Sequence, residues 1–133
     1  FTVGFSMVIL FIAKLLGITK ALGKSFEAQI AIMLIAARIT LQSSRLQALY
    51  WAKERDKILD ILKFTNEDKE RLTDKTIYKG LDYLYTNQEI IENKLFKSYY
   101  KSKPPKRVFY DVTSSFVEGE YEDSELVAFG YYR

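Results

Sequence analysis

One carboxylate stands where a carboxylate is costly. In the run Arg107-Val108-Phe109-Tyr110-Asp111-Val112-Thr113-Ser114-Ser115-Phe116-Val117, Asp111 interrupts a stretch rich in aromatic and β-branched residues that reads as a strand. Burying an unpaired carboxylate there would cost several kcal/mol, roughly. Asp111 must therefore meet a metal ion, pair with Lys106 or Arg107, or face solvent on an edge strand. Just upstream, Lys94, Lys97, Lys101, Lys103, Lys106 and Arg107 form a run of six cations without an acid. Cations beside such a strand suit phosphates arriving there; the lysines equally suit the negative pole of a helix end. From Val108 to Glu125 the sign reverses, with six acids and no cation. Of these, Glu118, Glu120, Glu122, Asp123 and Glu125 share one local loop, which reads as a solvated turn.

The chain has no His and no Cys, which excludes a disulfide framework, thiolate metal sites and the commonest general base and zinc ligand. Any catalysis must run on carboxylates, hydroxyls or Lys. Carboxylates are natural ligands of Mg²⁺ and Mn²⁺, the ions of phosphoryl transfer. The net charge of +3 and pI near 9.0 are too mild to identify a nucleic-acid partner by themselves.

The elements that would position these residues are mostly helical. Apolar content of 48% and charged content of 28% suit a packed soluble domain, and scarce Gly and Pro favour long elements. A first helix is expected from Phe5 to Leu16, stopped by a left-handed Gly17. Its apolar core, Phe5 to Ala13, is interrupted by Lys14, lacks a cleavage site and is shorter than the roughly 20 residues of a bilayer span, so a buried helix is expected and no membrane. Ser25 should cap a second helix, with Glu27 in its first turn, whose residues Ile30, Ile32, Met33, Leu34, Ile35 and Ile39 wrap most of the circumference and mark the centre of a bundle. A third follows Ser43 and Ser44 through Leu46, Leu49, Tyr50 and Ala52, with Lys57 to Phe64 continuing it or forming a short helix. Thr73 should cap a helix bearing Ile77, Leu81 and Leu84. Thr86 and Glu89 form a capping box that should open another, with Ile90, Ile91, Leu95 and Phe96. The two helices meeting at Thr86 read as a hairpin in preference to a DNA-reading helix-turn-helix. Ser102-Lys103-Pro104-Pro105 ends the helical region. The expected organisation is therefore a helical region over residues 1–103 and a strand region over 104–133, with Leu126 to Phe129 and Tyr131-Tyr132 beginning a second strand.

The segment VFYDVTSSFVEGEYEDSELVAFGYYR resembles the YDVTS-then-FGY signature that opens the catalytic domain of DDE-type, RNase H-like transposases of bacterial insertion sequences. More loosely, IAKLLGITKALG, AARITLQSSRLQAL, TDKTIYKGLDYL and NQEIIENKLF are similar to the helical N-terminal region of the same transposases. The resemblance implies a mainly α chain: an N-terminal helical bundle followed by the first β-hairpin of a truncated RNase H-like α/β domain. It implies that Asp111 is the first of three metal-binding carboxylates. Two Mg²⁺ (or Mn²⁺) ions held by such a triad promote in-line displacement at a phosphodiester. It also implies DNA as partner (transposon ends and target), a homo-oligomer in the complete protein and a cytoplasmic location. The family's second Asp and its Glu follow the FGY step at a distance, and neither is found before Arg133, so the chain alone is expected to be inactive in cleavage. Phe1 and Arg133 both read as cut ends. The alternative is a non-catalytic helical module that binds DNA or protein, from a decayed element.

Overall fold

A computed structural model describes residues 3–42, 44–54, 56–101 and 103–109. The described residues are mainly α. Their helices are α1 (Val3–Leu15), α2 (Ile18–Leu22), α3 (Phe26–Leu41), α4 (Arg45–Lys53), α5 (Asp56–Ile61), α6 (Asn66–Arg71) and α7 (Tyr78–Tyr100).

Local chemistry sets most of the helix ends. Gly17 takes φ 74°, as a left-handed stop requires, and the chain then re-enters a short helix, α2, that sequence patterning did not separate. The Ser25 hydroxyl accepts a hydrogen bond from the Ala28 N–H at 3.2 Å, capping α3 as expected, and Glu27 lies in its first turn. Ser44 and Gln47 form a reciprocal capping box at the start of α4. Thr65 and Asp68 do the same at α6, an element the sequence reading missed because its T-x-x-D box precedes a wholly polar turn. Lys57 to Phe64 supplies part of a separate short helix, α5, rather than an extension of α4.

α3 is the centre of the bundle and contacts α1, α2, α4 and α7. Ile30, Met33 and Ala37 project into one apolar cluster with Leu49, Trp51, Ile58, Leu59, Phe64, Leu72 and Ile77. Ala28, Ile32 and Ala36 project into a second with Leu10, Ala13, Leu22 and Ile91. Each fully buried Ile or Leu contributes about 1.5–3 kcal/mol. Of the apolar residues expected to wrap most of α3, Ile30, Ile32, Met33 and Leu34 are buried and Ile39, near its end, is exposed; on α4, Leu49 and Ala52 are buried while Leu46 and Tyr50 face outward.

Two expectations are corrected. First, no pair of helices meets at Thr86: residues 78–100 form one helix. Gly80, Leu84, Ile91 and Leu95 follow a 3.6-residue period along a single stripe, and that stripe, burying Gly80 and Ile91, packs on the bundle. The Thr86 box therefore lies within a helix whose packing has no reason to break, and neither a hairpin nor a helix-turn-helix is formed there. Thr73 acts one turn earlier than expected, its hydroxyl accepting from the Thr76 N–H at 3.2 Å in the turn that leads into α7. Second, α1 is not a buried helix. It buries Ser6, Leu10 and Ala13 and leaves Phe5, Met7, Val8, Phe11, Ile12, Leu15 and Leu16 exposed, because it packs by one side at the edge of the bundle. Among the described residues no helix is long and apolar enough to cross a membrane.

The crossing of α3 and α7 is unusually close. A Cβ added at Gly80 would lie 2.6 Å from Ile30 Cγ2 and 3.0 Å from the Ala31 backbone nitrogen. Farther along α7, the Tyr83 hydroxyl donates to the Leu22 carbonyl at 2.5 Å, satisfying one of the carbonyls left over at the end of α2. The first half of α7 is thus fixed to two other helices, and its orientation determines where its second half points.

Candidate nucleic-acid interface

The sequence-predicted cations occupy the last turns of α7 and the segment that leaves it. Lys94 and Lys97 are spaced i, i+3 near the end of α7, which places them on one side of the helix, and Lys101 follows as the residue that closes it. Lys103, Lys106 and Arg107 follow in residues 103–109, which carry no helix or strand; the expected strand from Arg107 to Val117 is thus irregular at Arg107, Val108 and Phe109, and its remainder lies outside the described residues. All six cations are exposed, and among the described residues none of them is ion-paired. The ion pairs Lys69–Asp60 and Arg71–Asp68 lie elsewhere.

The backbone at the helix end shows what holds the run in place. The Lys101 N–H donates to the Lys97 carbonyl at 2.9 Å, and the Lys103 N–H donates to the Tyr100 carbonyl at 2.7 Å. Lys101 takes φ 46° and ψ −63°. A non-glycine residue enters such a conformation at a cost of about 1–3 kcal/mol. Glycine, the usual residue where a helix ends at positive φ, would carry no charge.

Attraction to the helix dipole accounts for Lys97 and Lys101, which lie in or next to the last turn, where that field acts. It does not account for Lys103, Lys106 and Arg107, which lie beyond the helix. Exposed cations on both sides of a helix end, without an ion-pair partner among the described residues, are what contact with a phosphate backbone uses.

Aromatic side chains flank the run. The rings of Phe96 and Tyr100 lie 4.8 Å apart at 44°, and both remain substantially exposed, as does Tyr99. Sequence reading placed Phe96 on a separate helix opened at Thr86 and did not join it to the cationic run. The signal was present in the i, i+4 spacing of Phe96 and Tyr100 within a cationic stretch.

Asp111, Glu118, Glu120, Glu122, Asp123 and Glu125 lie outside the described residues, as does the expected hairpin. Among the described residues no group of three or more His, Cys, Asp or Glu side chains could hold a metal ion. Compared with known proteins, the chain matches no family model, no curated protein and no solved structure.

Proposed function

We propose that this chain is the DNA-engaging N-terminal part of a DDE-type transposase. The observation that carries the reading is the juxtaposition along the chain of exposed cations at the end of α7 with the YDVTSSF motif that follows within a few residues. Lys94, Lys97 and Lys101 contact successive phosphates of a duplex lying along the end of α7. Lys103, Lys106 and Arg107 continue that contact toward Asp111. In this reading Asp111 supplies one carboxylate of a Mg²⁺-binding set whose other members lie elsewhere in a complete transposase. The six cations position a backbone and read no base sequence.

The test is equilibrium binding of a fluorescent duplex to the chain over a range of salt concentrations. Each phosphate contact contributes about 0.9 to the slope of log K against log salt. Replacing Lys94, Lys97 and Lys101 with Gln is expected to weaken binding and flatten that slope by about 2.7. An unchanged slope would return these lysines to the role of a solvated helix end.

A further inference from the structure

The end of α3, the start of α4 and the first half of α7 border a groove of about 550 Å³ whose walls are Leu34, Ile35, Ile39, Ala48, Leu81 and Leu84. Its rim is cationic. Arg38 and Arg45 line it, both exposed, and no Asp or Glu is among its lining residues. The Arg45 guanidinium lies over the Tyr78 ring, 4.8 Å from its centre, a contact that restrains the side chain without using its N–H donors. A guanidinium is weakly hydrated and pairs bidentately with a carboxylate. An apolar floor with such a rim suits a chain segment that carries carboxylates among apolar side chains. A phosphate backbone would satisfy the arginines and gain nothing from the apolar walls.

We infer that this groove receives the chain's own segment 118–129, which docks the acidic region that follows Asp111 onto the helical region. Charge complementarity identifies the occupant. The chain's acids from Glu27 to Glu92 each have a Lys or Arg within a few residues, whereas Glu118, Glu120, Glu122, Asp123 and Glu125 have none. Tyr121, Leu126, Val127 and Phe129 stand among and directly after those acids and supply apolar side chains for the walls. Reach is sufficient. α7 carries the chain about 24 Å beyond Leu84 by Tyr100, at about 1.5 Å per residue. The residues from Lys101 to Leu126, at up to about 3.3 Å each, span well over that distance on the return. A tether of this kind presents its end at about millimolar effective concentration, so a contact of modest affinity suffices to fill the groove. Acids that read from the sequence as a solvated turn thereby acquire a partner. The inference does not rest on the DNA reading, since none of the six cations from Lys94 to Arg107 lines the groove.

Because the chain has no cysteine, introduced cysteine pairs report the contact in the full chain. Ile39→Cys/Val127→Cys is expected to form an intramolecular disulfide under mild oxidation, read as an altered monomer band on a non-reducing gel. Glu67→Cys/Val127→Cys, with its first cysteine on α6 outside the groove, is not. Adding Arg38→Glu and Arg45→Glu to the first pair should slow disulfide formation on the order of tenfold, since like charges then face each other, while helical circular dichroism is unchanged. Further adding Glu120→Lys, Glu122→Lys and Asp123→Lys should restore the rate, which separates charge matching from loss of fold. Equal rates for the two cysteine pairs, a disulfide that joins two copies of the chain, or a rate indifferent to the arginine reversal would each overturn the inference.

Discussion

The two halves of α7 are one helix used in two ways. In the first half, Gly80 lets the backbone approach α3 within side-chain contact, and the Tyr83 hydroxyl holds α2. In the second half, after Ile91, charged and aromatic side chains stand exposed around the last turns, and the helix closes on a lysine at positive φ. The first half contributes stability through packing; the second gives some of it up at Lys101 and presents exposed positive charge. A structural reason explains the first half completely. The second half keeps Leu95 against the bundle but leaves its last turns exposed and closes on a non-glycine residue at positive φ.

Substitutions in each half test that contrast. The largest effect is expected for the chemistry beyond the exposed half. In a transposase that provides the other two carboxylates, Asp111→Asn should abolish strand cleavage and leave binding of transposon ends unchanged, as followed by gel assays of nicking and retention. A near-wild-type cleavage rate would remove Asp111 from the site. In the packed half, Gly80→Ala sets two effects against each other. Alanine gains up to about 1 kcal/mol in helix propensity. Overpacking against the fully buried Ile30 and the Ala31 backbone costs about 1–3 kcal/mol. Net destabilisation is expected in urea unfolding, and a stabilised variant would show that α3 and α7 can separate at little cost.

Lys101→Gly tests the exposed half from the opposite direction. Relief of the positive φ should raise stability by about 1 kcal/mol, while duplex affinity falls. A variant that gains stability and binds DNA as well as wild type would make Lys101 a defect rather than a contact. Ser25→Ala should cost about 1 kcal/mol by removing the cap on Ala28, with DNA binding unaffected.

The smallest effect concerns pH. Hydrogen bonds from the Thr65 hydroxyl and then from the Thr65 backbone N–H hold the Asp68 carboxyl below its ordinary value, with a smaller contribution from Arg71. A depressed folded-state pKa contributes stability that is present above the unfolded value and is lost as pH falls through the lowered one. Thermal unfolding between neutral pH and the acid side of the carboxylate range should therefore lose a small increment at low pH, and Asp68→Asn should lack that increment.

The helical elements were legible where the chain writes them in periodicity and caps. Ser25, Gly17 and the apolar wrap of α3 each act as their residue types require. Thr86 was misread because a capping box is a local signal, whereas the continuity of α7 is decided by the stripe of Gly80, Leu84, Ile91 and Leu95 meeting the other helices. α1 was misread for the converse reason: apolar residues on all sides announce burial, but the bundle around α3 has room to bury one side of an edge helix. The cations of the candidate interface were legible by type and by clustering. Their lack of ion-pair partners among the described residues, and the strained backbone at Lys101, depend on tertiary placement and were not.

In the function proposed above, the exposed end of α7 is a phosphate-binding surface. The most direct measurement is the salt slope of duplex binding for the wild-type chain beside the Lys94→Gln/Lys97→Gln/Lys101→Gln variant. A wild-type slope that the variant lowers by about 2.7, with helicity unchanged, is the predicted result. Equal slopes for the two proteins, or no binding by the wild-type chain at low salt, would contradict it.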